Sequence, residues 1–231
     1  MSAKSAISLL EIRHSSLTEQ VARVVKQAIL RGELKPGERL VELAIAREHG
    51  VGQNAVREAL IALAHQGFVK RVANRATYVT QMSLEEAQKL SVVREALESM
   101  AVEIASRRFA AGEVDAAKLE TALEKMRAAA EQLDRVLFYE YDIAFHRELW
   151  RLTGNEQLEQ ALEQVVAPLF AFFIMQYFRK GDRLETLRDA IPAHEALVSC
   201  VRSGLPGEAR TALHVLVDVA VKHQKGLVAL P

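Results

Sequence analysis

The chain has 231 residues, of which half are hydrophobic, and it carries 30 basic and 30 acidic residues with a single cysteine. This length suits one large domain or two ordinary ones, and the apolar content is enough for a folded core. One cysteine excludes an intramolecular disulfide and favours a reducing compartment. We expect a cytoplasmic protein with no membrane partner, because the N-terminus lacks a signal-peptide core and no apolar run approaches the roughly 20 residues of a membrane span.

The balanced charge is unevenly distributed along the chain. Residues 1–80 contain 12 Lys and Arg against 7 Asp and Glu, and the rest of the chain carries the compensating negative charge. A basic N-terminal part on an acidic body indicates a polyanionic partner for that part alone, although ordinary scatter of surface charge produces the same totals.

The first two predicted helices are defined by their ends. "SLTE" predicts a helix start, with Ser16 as N-cap and Glu19 completing a capping box. Apolar residues then recur at helical spacing until Gly32. A short second helix is predicted at roughly 41–48, where Gly50 ends it.

A third helix and a hairpin complete the first predicted domain. "VGQNAVREALIALAHQG" predicts an amphipathic helix that stops at Gly67. Two short β-prone runs follow, at 68–72 and 77–80. Three helices and a hairpin within about 65 residues are typical of a winged helix-turn-helix, which we assign to residues 1–80.

The remainder predicts an all-helical domain, residues 83–231, that begins with a second capping box, "SLEE". Pro168 and Pro192 fall inside predicted helices and should kink or divide them. Six helices indicate an antiparallel bundle, so the whole protein is predicted to be mainly α. The predicted spans are 83–111, 115–132, 135–153, 155–180, 182–204 and 206–228.

Polar side chains fall on the apolar faces of two of these helices. Asp142 and His146 are neighbours at helical spacing and share their face with Phe138, Phe145 and Leu149. His194 steps by three and four residues with Leu187, Ile191, Val198 and Val201, so it also points inward. Buried charge is costly unless it is paired, hydrogen-bonded or bound to a metal, so these residues need a partner.

Four segments carry a family resemblance. They are "LKPGERLVELAIAREHGVGQNAVREALIALAHQGFVKR" in the first domain and "VVREALESMAVEIA", "DIAFHRELWRLTGN" and "HEALVSCVRSG" in the second. The chain resembles GntR-family transcription regulators of the FadR-like group, whose FCD ligand-binding domain is all-helical. Six helices resemble the vanillate-regulator-like branch. The resemblance implies a homodimer on double-stranded operator DNA that responds to a small organic acid, and we predict a repressor rather than an enzyme.

The resemblance also implies DNA contacts. Gln53 and Asn54 would read adenine edges in the major groove, Arg57 would hold phosphate or guanine, and Arg75 would lie at the tip of the wing. The family's usual Ser-Arg-Thr-Pro is Gly-Gln-Asn-Ala at 52–55 here, and its wing Arg-Gly is Arg-Ala. These departures predict a changed operator sequence rather than lost DNA binding. The alternative for both arginines is solvated surface charge.

In the matching branch, the bundle encloses a divalent metal held by one Asp and three His. Asp142, His146 and His194 match three of these ligands, and such a set suits zinc, nickel or manganese. Leu216 stands where the fourth ligand is expected, and His214 lies two residues away. Three protein ligands with water or effector, a rotated helix that brings in His214, and loss of the metal all remain open.

Arg94 matches a family arginine and is predicted to clamp an effector carboxylate. Its alternative is an ion pair with Glu98 on the same helix. If the metal is lost, Asp142 would pair with a nearby histidine or with Arg94. With or without metal, Arg94, Asp142, His146 and His194 are predicted to line an effector pocket. Two other functions remain possible from the sequence: a metal-dependent hydrolase using an activated water, or a DNA-binding module that has lost effector sensing.

Overall fold

The computed structural model describes residues 16–72, 76–180, 184–203, 211, 213 and 214. The elements are α1 Leu17–Leu30, β1 Arg39–Leu40, α2 Glu42–Glu48, α3 Gln53–His65, β2 Val69–Val72, β3 Ala76–Val79, α4 Leu84–Ala110, α5 Ala117–Glu131, α6 Arg135–Arg151, α7 Glu156–Lys180, a 3₁₀ helix Leu184–Ala190 and α8 Ile191–Ser203. The predicted mainly α fold is confirmed.

The N-terminal part is a winged helix-turn-helix, as predicted. Its first helix begins at the expected capping box: the Glu19 N–H donates to Ser16 Oγ at 3.1 Å, and the Ser16 N–H donates to Glu19 Oε2 at 2.8 Å. Helix α3 buries one face against α1, and Val56, Leu60 and Leu63 on that face are fully buried. This packing leaves the opposite face of α3 free for a partner.

The wing is a three-stranded antiparallel sheet in the order β1-β3-β2. The predicted hairpin is present, with Val69 opposite Val79 and Val72 opposite Ala76. The sequence did not predict β1, in which Leu40 pairs with Thr77. A two-residue strand has no periodicity to detect, so it becomes visible only through its pairing.

Helices α4 to α8 form the all-helical body. Helix α4 begins at the second capping box, in which the Glu86 N–H donates to Ser83 Oγ at 3.2 Å. It packs against α6, α7 and α8, while α5 packs mainly against α6. Because α6 and α8 both pack against α4, side chains from the three helices meet inside the bundle.

The predicted helix at 182–204 is divided next to Pro192, as expected, into a 3₁₀ helix and α8. Pro192 occupies the second position of α8, where its missing N–H costs nothing because the first turn has no intrahelical acceptor for it. Pro168 behaves differently, since α7 continues through it. The predicted last helix, 206–228, lies outside the described residues except for 211, 213 and 214.

One described helix is long and apolar enough to cross a membrane by length and composition, namely the Glu156–Gln176 part of α7. The sequence expectation that no such run exists was therefore wrong. In this fold, 61% of the most apolar stretch of this segment is buried inside the protein. A central bundle helix is apolar around most of its circumference, which gives it the composition of a membrane span.

Candidate functional site

Five polar side chains meet inside the helical body. Asp142 and His146 lie one turn apart on α6, and His194 lies on α8. Arg94 and Glu98 lie one turn apart on α4. All five are at most 7% exposed. The structure thus brings together the four residues predicted for the effector pocket and adds Glu98 to them.

Asp142, His146 and His194 offer three ligand atoms within 4.8 Å of one another, the one such group of metal-binding side chains among the described residues. His194 Nε2 lies 2.9 Å from Asp142 Oδ1, and His146 Nε2 lies 3.5 Å from the same oxygen. The ring of Phe145 contacts both imidazoles edge-on, at centroid distances of 5.5 and 5.0 Å. Three donors therefore converge beside an apolar wall.

The hydrogen-bond partners of the two histidines assign their tautomers. His194 Nδ1 lies 2.7 Å from the Ala190 carbonyl oxygen, which only accepts, so Nδ1 carries the hydrogen. Arg94 Nη2 donates to His146 Nε2 at 3.0 Å, so the hydrogen of His146 is on Nδ1. That Nδ1 lies 2.7 Å from Glu98 Oε1, although its N–H is not aligned with the oxygen. Metal-binding histidines are commonly oriented in this way by a carbonyl or carboxylate.

This assignment leaves an electrostatic conflict between Asp142 and His194. With a neutral ring, the lone pair of His194 Nε2 faces Asp142 Oδ1 at 2.9 Å, and neither atom has a hydrogen to donate. Two acceptors at this distance repel unless a cation lies between them. A hydrogen shared by the two atoms or a metal ion between them resolves the conflict, and the donor set fits a divalent metal.

Glu98 holds the cluster on α4. Its carboxylate accepts from Arg94 Nε at 2.7 Å and from Trp150 Nε1 at 3.1 Å, and it is fully buried. Burial raises the pKa of Glu98, but the neighbouring Arg94 guanidinium, with a lesser contribution from the His146 ring, outweighs burial and holds that pKa well below its ordinary value. Burial also lowers the pKa of His146 against the opposing effect of Glu98, which favours the neutral imidazole.

Arg94 thus makes the ion pair with Glu98 that the sequence left open as an alternative. A guanidinium has five N–H donors, and the contacts to Glu98 and His146 use two of them. Its pairing therefore still leaves donors for a carboxylate. Sequence reasoning missed the anchoring by Trp150, for which the spacing of four residues from His146 was the available signal.

His214 does not join the cluster. It is exposed, and its Nδ1 lies 3.4 Å from Glu95 Oε2 on α4. The adjacent Leu213 is fully buried, so the apolar face of this turn points inward and His214 points outward. Leu216 lies outside the described residues.

The predicted DNA-reading residues lie at the start of α3. Gln53, Asn54 and Arg57 are all exposed. Glu42 on α2 accepts from Gln53 Nε2 at 3.3 Å and from Arg57 Nε at 3.2 Å, which orients both side chains without burying them. Arg75 lies outside the described residues.

Residues 17–79 match the family described as bacterial regulatory proteins, gntR family, and residues 89–218 match the FCD domain. The second match alone spans more than half of the chain. The chain belongs to the GntR family. Helix α3 lies within the first match, and all five buried polar residues of the cluster lie within the second.

Curated relatives of this GntR protein are regulators. It is 27% identical over 218 residues to a probable D-xylose utilization operon transcriptional repressor of Paenarthrobacter nicotinovorans, which covers 93% of each protein. It is 28% identical over 181 residues to the HTH-type transcriptional regulator McbR of Escherichia coli (strain K12), covering 78% of this chain and 76% of McbR. It is also 28% identical over 204 residues to LutR of Bacillus subtilis (strain 168), covering 80% of this chain and 90% of LutR.

Solved structures share the fold. The structure of E. coli McbR/YncC matches with a TM-score of 0.67 at 24% identity, over 93% of this chain and 98% of that chain. A GntR regulator from Rhodococcus sp. RHA1 matches with a TM-score of 0.65 at 21% identity, over 94% and 100%. By its family matches and its curated relatives, the GntR protein is a ligand-responsive, DNA-binding transcription regulator and not an enzyme, which removes the hydrolase alternative.

Proposed function

We propose that this regulator represses genes for the metabolism of a small carboxylate, which it senses at the buried cluster of Arg94, Asp142, His146 and His194. The observation that carries the proposal is the convergence of three ligand atoms within 4.8 Å, beside an arginine that has spare N–H donors. An acid in the cluster would be recognised by charge-assisted hydrogen bonds, which are about twice as strong as neutral ones.

A divalent metal, zinc, nickel or manganese, is proposed as part of this site. Asp142 Oδ1, His146 Nε2 and His194 Nε2 would hold it, with water or the effector completing its coordination. When bound, the metal supplies a Lewis acid for the effector carboxylate. Because His146 Nε2 has one lone pair, Arg94 and a metal compete for it, and metal binding would free an Arg94 N–H for the acid.

The DNA-binding face is proposed to be the N-terminal turn of α3, with Gln53 and Asn54 at base edges and Arg57 at phosphate or guanine. The exposure of all three supports this role, as does the anchoring of Gln53 and Arg57 by Glu42. Arg75 stays a prediction for the wing tip. These contacts would make operator affinity fall steeply with salt, because each neutralised phosphate releases counterions.

A cytoplasmic homodimer on a palindromic operator is proposed as the working form. Helix α4 supports this, because Val92 is 70% exposed, Val93 45% and Met100 52%. Apolar side chains that are exposed together on one helix are typical of interfaces. Light scattering tests the dimer: Val92→Glu should yield monomers, while Glu103→Gln, at a solvent-exposed ion pair on the same helix, should stay dimeric.

The function is tested in two steps. An operator is first selected from random DNA with the purified protein, and metal content is measured by elemental analysis of protein purified without affinity metals. Anisotropy with that operator then screens a panel of small carboxylates. Release of DNA by one acid supports the proposal. Intact DNA binding with no thermal stabilisation by any acid would favour a module that has lost effector sensing.

A further inference from the structure

The turn that ends α3 lies directly against the backbone of α7. Gly67 follows α3 with φ of +77°, and an added Cβ at this position would lie 2.6 Å from the nitrogen of Pro168 on α7, closer still to the Ala167 carbonyl. No real Cβ contact is this short, so glycine is required both by its backbone conformation and by the neighbouring chain.

A second contact fixes the same docking. Lys26 on α1 donates to Glu140 on α6 at 2.8 Å, and its ammonium lies 5.1 Å from the centre of the Phe68 ring. The Lys26 side chain is 14% exposed and that of Glu140 is 49% exposed, so the pair lies at the rim of the junction and positions Lys26 over the Phe68 ring. The end of α3 is thereby held against α6 and α7 from two sides.

The same turn of α7 also touches the polar cluster. Phe170 lies three residues beyond Ala167 and is buried. The centre of the Phe170 ring is 5.5 Å from the centre of the His146 ring. The Arg94 guanidinium carbon lies 4.9 Å from the centre of the Phe170 ring. One turn of helix therefore contacts both the end of the recognition helix and two members of the cluster.

We propose that the 167–170 turn of α7 transmits the state of the polar cluster to the recognition helix. This inference rests on the proposed role of the cluster as the effector site and states how that site is coupled to DNA. A ligand that draws Arg94 away from His146 removes the cation from the Phe170 ring and repacks the turn. Because packed interfaces shift between discrete arrangements, and the Gly67 backbone lies directly against the Ala167–Pro168 backbone, a shift of this turn is passed to the end of α3.

Hydrogen exchange of the intact protein, measured without added metal, tests the proposal because it reports local opening of the chain. Gly67→Ala should speed exchange at 64–69 about tenfold. Gly32→Ala is its matched control, since Gly32 has φ of +75° with nothing within 4 Å of an added Cβ. It should leave exchange at 64–69 unchanged.

The cluster is then perturbed from its far side. Arg94→Met removes the contact with the Phe170 ring and should speed exchange at 64–69 by roughly fivefold or more in the wild-type background. It should have no further effect in the Gly67→Ala background, where the junction is already broken. Arg108→Met, on the same helix but bonded to the Leu152 carbonyl, should not affect 64–69.

Two results would overturn the proposal. In the first, Arg94→Met speeds exchange around residue 146 but leaves exchange at 64–69 at the wild-type rate. In the second, exchange at 64–69 in the double variant is faster by the product of the two single-variant effects. If Arg94→Met does not fold, Arg94→Lys, which keeps the charge but withdraws the guanidinium from the Phe170 ring, replaces it with the same two outcomes. Zinc titration by calorimetry is run separately. Absence of zinc binding would count against the proposed metal, and the exchange result would still decide the coupling.

Discussion

Replacing Glu98 with glutamine tests whether the buried cluster is organised by charge. Glutamine keeps the size of the side chain and removes its negative charge. It leaves the guanidinium of Arg94, which is 5% exposed, without its counter-ion. The new amide also presents two N–H donors to a site where Arg94 Nε and Trp150 Nε1 already donate.

The expected loss of stability is large. Removing one partner of a buried ion pair costs about 3–5 kcal/mol, because the other charge stays buried and uncompensated. That is a large part of the roughly 5–15 kcal/mol that stabilises an ordinary domain. At about 2–4 °C per kcal/mol for a chain of this size, the melting temperature should fall by at least about 6 °C.

Urea unfolding followed by circular dichroism measures this change. Glu95→Gln is the matched control, because Glu95 lies on the same helix with its side chain 28% exposed and one 3.4 Å contact. It should change the free energy of unfolding by no more than about 0.5 kcal/mol. The double variant Arg94→Met/Glu98→Leu should recover most of the loss. A loss below about 1 kcal/mol for Glu98→Gln would refute the reasoning.

The remaining predictions concern pH, metal and DNA. With metal removed by a chelator, the free energy of unfolding of the wild type should fall as pH drops below 4.5, the ordinary pKa of Glu98. The folded state holds that pKa lower, so it binds fewer protons than the unfolded chain in this range. Glu98→Gln should lack this part of the decline in acid unfolding curves. His194→Ala should abolish zinc binding in calorimetry, whereas His214→Ala should leave it intact, and equal losses would contradict the assignment. Arg57→Gln should reduce the slope of log affinity against log salt by about 1 in anisotropy titrations, and an unchanged slope would exclude a phosphate contact. Asn54→Ala should relax base preference in a repeated DNA selection.

Local signals predicted most of the fold. The capping boxes at Ser16 and Ser83 satisfy their own backbone N–H groups, so they define helix starts without tertiary contacts. Helical periodicity likewise predicted the inward faces of α6 and α8, including Asp142, His146 and His194. These features depend on residues within a few positions of one another, which a single sequence contains.

Features that depend on packing between elements were not predicted. Glu98 was recognised only as a possible partner of Arg94, because its spacing on α4 does not say that this face meets Trp150 and His146 across the bundle. Gly67 was recognised as a helix stop, but Pro168, which it contacts, lies 101 positions further along the chain. Such contacts follow from how helices pack, which local periodicity does not specify.

Occupation of the buried cluster is proposed to control binding of DNA by α3. Operator anisotropy of the wild type and Asp142→Ala, with and without the acid identified by screening, measures this control. The acid should weaken wild-type binding by about 5–150-fold and leave Asp142→Ala, which still binds DNA, unaffected. An equal response in both proteins, or loss of DNA binding by Asp142→Ala without any acid, would contradict it.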